Sequence, residues 1–284
     1  MLACFRILAI FVGLSFGFGA VASAQADAEN PEEQHRQALA KIEAEHGKDH
    51  PDYAFELGLL GGALARQQKF LQAEKVFAQA LPLIAKVSGA ESTDYASLCN
   101  GYAFVLNARG QLSEAEGYYR TALSIYAKTI GGQSTRYATS LKNLAFVMHK
   151  QGKNDDAEGL LRQSLSILEQ TFGAEDPRFS VNLVNFARFL RLEEVETLEN
   201  LREAERLLKQ ALKIDKQAYG RSHLIYADRL YELARVQSRL GKQFPAKNNI
   251  EEALRIYETE LGDDDLKTLE ARQNLDTVLS LMTR

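Results

Sequence analysis

Residues 141–168 read LKNLAFVMHKQGKNDDAEGLLRQSLSIL, and this stretch decides the fold. Leu141, Leu144, Ala145 and Met148 fall at i, i+3, i+4 and i+7, the apolar stripe of an amphipathic helix. After Gly152-Lys153-Asn154 the spacing resumes with Ala157, Leu160, Leu161, Ser164, Leu165 and Leu168. Two helices joined by a glycine turn form an antiparallel pair. The pair is not unique. Glycines stand at 47, 89, 131, 173, 220 and 262, 42 residues apart except for one step of 47. An aromatic follows five of them by six residues, at Tyr53, Tyr95, Tyr137, Phe179 and Tyr226. Ala-Leu recurs at 38, 80, 122, 211 and 253, with Ser164-Leu165 in the remaining copy. Ala-Glu recurs at 73, 115, 157 and 204 and becomes Ala246-Lys247 in the last copy. Markers sharing one period and one slip define a repeat, which must be recognised before single helices are assigned.

Local signals agree with the register. Asp176-Pro177 places a capping carboxylate before a proline at the first helical position. Ser113 with Glu116 three residues on predicts a capping box for a second helix. The periodic glycines are expected where a helix ends in a left-handed residue. Neither helix of a pair can bury its stripe alone, so the pairs must stack on one another, with no strand required.

The string Ala157-Glu158…Leu161…Ser164-Leu165, preceded by Lys142-Asn143-Leu144-Ala145 and Gly152-Lys153, resembles the 42-residue tetratricopeptide repeat of the kinesin light chain type. The resemblance covers about residues 31 to 284. It implies an all-α fold: a right-handed α-solenoid, or superhelix, of antiparallel helix pairs. In that family small residues permit a close crossing of the paired helices. Gly61, Ala103, Ala145, Ala187 and Ala234 hold these places on the first helices, and Ala73, Ala115, Ala157, Ala204 and Ala246 on the second. The physical reason is general, since a close crossing leaves no room for a larger side chain. Two departures stand out. The first copy has Gln67-Gln68 where later copies carry the inter-helix glycine, and the fourth carries an acidic insertion, Leu192 to Leu201, with Glu193, Glu194, Glu196 and Glu199.

The chain then divides into a leader (1–24), a linker (25–30) and a repeat domain (31–284). The domain reads as a half repeat (31–46), five pairs starting near 51, 93, 135, 177 and 223, and a capping helix (265–282). In the leader, Arg6 precedes an apolar run from Ile7 to Phe18, and Ala22-Ser23-Ala24 has the small-x-small spacing of a signal-peptidase site. Cleavage after Ala24 is expected, and with it a periplasmic or secreted location; an uncleaved anchor is the alternative. Only Cys99 would remain, leaving no internal disulfide.

Over its 284 residues the chain is 45% apolar and 25% charged, which excludes disorder. Its formal net charge of −4 argues against a generic nucleic-acid binder. The resemblance implies that the first helices line a concave groove. That groove would display Asn100, Phe104 and Asn107 from the second pair, after Phe55 and Gly58 from the first. It continues with Lys142, Asn143, Phe146, His149 and Lys150 from the third, Asn185, Arg188 and Arg191 from the fourth, and Tyr231, Arg235 and Arg239 from the fifth. An acidic protein thus gathers its bases on one inner surface. Arg and Lys beside Asn suit a carboxylate-bearing extended peptide, and Phe104, Phe146 and Tyr231 suit apolar anchoring. The alternative for the charges is a solvated face, and for Phe104 and Phe146 an inward, core position.

The expectation is a non-catalytic scaffold that binds a protein or peptide, acidic in character, without a cofactor. A second reading is self-assembly, with the Glu193 to Glu199 segment docking into a neighbour's basic wall. A metal-dependent enzyme is a third. His46 and His50 flank Asp49, but Gly47 and Pro51 break the helix that would align them, and a third metal ligand is missing. Cys99 falls in an apolar stripe with Tyr102 and Leu106 and reads as a buried, inert thiol. Gly58, Gly61 and Gly62 lack the strand and the Lys-Ser/Thr of a phosphate loop.

Overall fold

The computed structural model describes residues 30–192 and 195–283. Among them are twelve α-helices and no strand. The leader and most of the linker lie outside the described residues, as do Glu193 and Glu194. The helices run α1 (Pro31–His46), α2 (Pro51–Arg66), α3 (Phe70–Ser88), α4 (Thr93–Ala108), α5 (Leu112–Thr129), α6 (Thr135–Lys150), α7 (Asn154–Phe172), α8 (Pro177–Leu190), α9 (Leu198–Tyr219), α10 (Leu224–Arg239), α11 (Gln243–Glu260) and α12 (Leu266–Met282). They group into two compact units, one ending at Ile167 and the other starting at Leu168, so that the division falls within α7.

In both units each helix packs mainly on its neighbours in sequence. The N-terminal unit closes around Leu64, Phe77, Ile84, Leu106, Tyr119 and Leu141. The C-terminal unit closes around Phe179, Leu183, Phe186, Phe189, Leu190 and Tyr257. Truncating one such side chain to Ala removes about 2–5 kcal/mol. The small residues sit at the tight crossings: Ala103, Ala145, Ala187 and Ala234 are all completely buried, and a Cβ added to Gly61 would meet the Phe77 ring at 3.0 Å.

Two kinds of turn alternate. Within a pair, the last turn of the first helix closes by 6→1 backbone bonds, such as Gln111 N to Leu106 O (2.9 Å) and Lys153 N to Met148 O (2.9 Å). These are Schellman closures around Gly110, Gly152 and Gly241, with φ of 79°, 80° and 74°. In the first copy Gln68 takes the same place at φ 59°, and it is the single non-glycine residue at positive φ among those described.

Between pairs the register glycines behave differently from expectation. Gly47, Gly89 and Gly220 have positive φ, but with ψ of 171°, 146° and 173° they lie in the mirror-extended region, not the left-handed helical one. That region is essentially closed to residues with a Cβ, which is why these positions are the most regular feature of the sequence. Three residues later the next helix is capped by a side chain, through Ser92, Ser134 and Asp176 among others. His50 and His223 cap through Nδ1, accepting from Asp52 N (3.3 Å) and Ile225 N (3.1 Å).

The Ser113–Glu116 capping box does not form. The Gly110 closure starts α5 at Leu112, so Ser113 already lies inside the first turn, and Gln111 is a cap without a side-chain bond. Glu116 faces sideways instead, to Arg120 Nη2 (2.8 Å) and Lys153 Nζ (3.1 Å). The second contact explains the recurring Ala-Glu. The alanine is buried in the crossing, and in three of the four copies the glutamate holds the basic residue at the next pair's turn, Glu158 pairing instead with Arg162 of its own helix. Glu74 pairs with Arg109, Glu116 with Lys153, and Glu205 with Lys242 at 2.5 Å, while Glu32 of α1 takes Lys69 at 2.6 Å. In the last copy Lys247 pairs with Glu251 on its own helix.

Candidate partner-binding site

The first helices of successive pairs are joined by side chains, so the residues expected to bind a partner can be placed unit by unit. In the N-terminal unit, Asn100 is buried and its Oδ1 accepts from Ser140 Oγ at 2.9 Å, tying α4 to α6. It belongs to the interior. Phe104 is half-buried, edge-on to Phe70 with ring centroids 6.4 Å apart. Asn107 Oδ1 accepts from the exposed Lys150 Nζ at 2.8 Å. His149 Nδ1 lies 2.8 Å from Asn154 Oδ1 and so ties α6 to the start of α7. Lys142, Asn143 and Phe146 are half-buried on α6. Lys142 has no ion pair among the described residues, and burial holds its ammonium below the usual lysine range.

In the C-terminal unit, Asn185 is buried, and three arginines converge on one carboxylate. Glu232 is itself buried, and it accepts from Arg188 Nε at 2.8 Å and from Arg191 Nη2 at 3.1 Å, with Arg235 Nη1 at 3.9 Å. Arg239 pairs with Glu196 at 2.8 Å. Arg235 also lies over the Tyr231 ring, 5.8 Å from its centroid, and the Tyr231 hydroxyl accepts from Asn274 of α12. Burial depresses the Arg191 guanidinium below its ordinary value; Glu232 opposes this, and the charges of Arg235, Arg188 and Arg239 add to it. The Nε of Arg191 is buried with no acceptor.

Four guanidinium groups here face two carboxylates, which leaves a positive surplus and an unsatisfied donor. Such a site favours an additional anion able to accept from a planar fork, and a carboxylate fits that geometry.

Sequence reasoning named every base in this cluster and missed both acids. Glu232 stands twelve residues after its register glycine (220 to 232), where earlier copies have Asn143 and Asn185; that substitution was the available signal. Glu196 was read as part of a segment reaching into a neighbouring molecule, yet it is bonded within its own chain. Beyond it, Thr197 caps α9 and Asn200 Nδ2 donates to Val195 O at 2.7 Å.

The remaining candidates are structural. His46 and His50 stack at 4.6 Å across their turn, as Tyr219 and His223 do at 5.0 Å in the equivalent turn. The contact that Gly47 and Pro51 were expected to prevent is therefore made, but as a stack on a capping ring. No group of three or more His, Cys, Asp or Glu gathers among the described residues. Cys99 is fully buried, and burial pushes its thiol up to about 12, far from a reactive thiolate. No described helix is long and apolar enough to cross a membrane.

The fold has known counterparts. BtubC (BKLC) from P. vanneervenii superposes with a TM-score of 0.67 at 17% identity, over 83% of this chain and 94% of that one. The kinesin light chain TPR-like repeats of Podosopora anserina give 0.64 at 22%, over 75% and 98%. The apo quorum sensor NprR from B. thuringiensis gives 0.63 at 16%, over 88% of this chain and 64% of that one. No curated protein matches the chain in sequence. The sequence profile described as tetratricopeptide repeat matches residues 93–170 and 196–259, half of the chain. With half of its length matched and its described residues forming twelve helices, the chain belongs to the tetratricopeptide repeat family.

Proposed function

We propose that the chain is a non-catalytic scaffold that holds an acidic segment of a partner protein on the first-helix wall of its C-terminal unit. The partner's carboxylates sit among Arg188, Arg191, Arg235 and Arg239. The observation that carries this reading is the arginine cluster around buried Glu232, with its surplus charge and the unaccepted Arg191 Nε. Tyr231 offers an aromatic anchor beside the charges. In the N-terminal unit, Phe104, Phe146, Asn143 and Lys142 offer apolar and amide groups suited to a peptide backbone. The composition of residues 1–24 supports a location outside the cytoplasm, with cleavage expected after Ala24.

Glu196 has a defined part in this scheme. It already holds Arg239, so an acidic ligand must displace it or bind around it. The test is binding of a fluorescent glutamate-rich decapeptide, followed by anisotropy at several salt concentrations. The double variant Arg188→Glu/Arg235→Glu should lose about tenfold or more in affinity and flatten the salt dependence. Glu196→Gln should tighten binding. If affinity and salt slope are both unchanged in the double variant, the reading is wrong.

A further inference from the structure

A cavity of about 320 Å³ opens in the N-terminal unit between α3, α4 and α5, and none of the residues assigned to partner binding lines it. Ala78, Leu81 and Pro82 of α3 form one side, and Tyr95, Tyr102 and Tyr118 the other. Pro82 lies inside α3. It has no N–H, so the carbonyl of Ala78, four residues earlier, loses its helical donor; both residues line the cavity. The Tyr102 and Tyr118 rings meet at 61° with centroids 4.9 Å apart, a two-walled aromatic corner. The Tyr95 hydroxyl is engaged by the buried Cys99 thiol. Glu114 stands one helical turn before Tyr118 on α5 and is exposed, with Oε1 accepting from Gln111 Nε2 at 3.4 Å. Its charge raises the titration of both Tyr102 and Tyr118, the larger cause in each case being burial.

Aromatic faces, a carbonyl oxygen released from its helix and a carboxylate one helical turn from Tyr118 share one electrostatic character. No Lys or Arg lines the cavity. Ring faces carry negative potential and attract cations, most strongly when the cation is weakly hydrated. An anion or a neutral hydrocarbon would leave the carbonyl and the carboxylate without a role.

We propose that the tyrosine cavity between α3, α4 and α5 binds an organic ammonium group, seated in the Tyr102–Tyr118 corner with Glu114 as its counter-charge. The group belongs either to a small quaternary amine or to a lysine side chain of a protein. The site is independent of the arginine cluster and prefers the opposite charge.

Binding is read by calorimetry, with tyrosine fluorescence, to which three of the 11 tyrosines contribute from the cavity, as a second readout. Choline, N-acetyl-lysine methylamide, the neutral isostere 3,3-dimethylbutanol and an oligoproline decapeptide are titrated in turn. Choline or the lysine amide should bind, and the neutral isostere should bind about tenfold or more weakly. Binding of choline alone identifies a small-amine site, and binding of the lysine amide identifies a side-chain site; both support the proposal. Glu114→Gln, an exposed change that leaves the fold intact by circular dichroism, should weaken the cation about fivefold. Tyr118→Phe should retain binding and Tyr118→Leu should lose it. Equal binding of choline and its isostere, indifference to Glu114→Gln, binding of oligoproline alone, or no binding by either cation would each overturn the proposal.

Discussion

Tyr126 and Tyr257 stand at the same place in their repeats, and each hydroxyl reaches a side chain 29 residues earlier. In the N-terminal unit the partner is Ser97, at 2.9 Å; in the C-terminal unit it is Asp228, at 2.8 Å. The first is a neutral bond closed within one pair, since Ser97 also donates to Thr93 O. The second introduces a charge that needs Lys267 of α12 at 2.8 Å to balance it. The same substitution of charge for neutrality recurs elsewhere. Fifteen residues after the register glycine the N-terminal unit has Phe104 and Phe146, and the C-terminal unit has Arg188 and Arg235. Near the centre of the C-terminal unit, Arg229 Nε donates to the buried Asp215 Oδ2 at 2.6 Å. One backbone design therefore tolerates a neutral interior or an ionic one. The ionic version binds its helices through partners that cannot be removed singly.

That difference is open to measurement. The largest effect is expected at Arg229→Ala, which strands Asp215 as an unpaired buried carboxylate and should cost about 3–5 kcal/mol. Hydrogen exchange should accelerate across α9 to α12, while α2 to α5 keep their protection; uniform loss across both units would break the contrast. Next comes the tyrosine pair. Tyr257→Phe removes a bond to a charged acceptor and should cost about 1.5–3 kcal/mol, whereas Tyr126→Phe removes a neutral bond and should cost about 0.5–1.5 kcal/mol in denaturant titrations. Equal values would mean that the charge at Asp228 is solvated and the contrast is empty.

The smallest effect concerns the inter-repeat glutamates. The guanidinium of Arg120 and the ammonium of Lys153 hold Glu116 well below its ordinary value of 4.5, at about 2. A depressed folded-state value stabilises the fold above the ordinary value, and that contribution disappears as pH falls through about 2. Glu116→Gln should thus be slightly destabilising at pH 6 and neutral near pH 2. Glu205 is more deeply buried, which raises its titration, but Lys209 and Lys242 outweigh that and leave it lowered. Glu205→Gln should show the larger loss at pH 6, and thermal unfolding across pH reads both.

The helical architecture was legible in the chain because its causes are local. A glycine every 42 residues marks a backbone conformation that other residues avoid, and the apolar stripes follow helical spacing. The Ser113 box was misread because the start of α5 is dictated by the closure at Gly110, outside the motif itself. The site was half legible. Bases on the first helices could be named, since their register is fixed, but their counter-charges sit on other helices, and only packing brings Glu232 and Glu196 to them. The tyrosine cavity was hidden for the same reason: Tyr102 and Tyr118 belong to different helices and meet across a crossing.

The glutamate that follows each buried alanine carries one more implication. Its basic partner lies 37 residues further on at Lys153 and Lys242 and 35 at Arg109, each on the adjoining copy; Glu32 of α1, which follows no alanine, takes Lys69 at the same 37-residue distance. A duplicated 42-residue segment would arrive with both its acid and its base, and would find complementary ends waiting on either side. The five extra residues near Thr197 precede Glu205 and leave its bond to Lys242 in phase. Growth or shrinkage by whole copies is thereby built into the charge pattern, and where the insertion replaces the turn base of the fourth copy, Glu158 turns to Arg162 of its own helix.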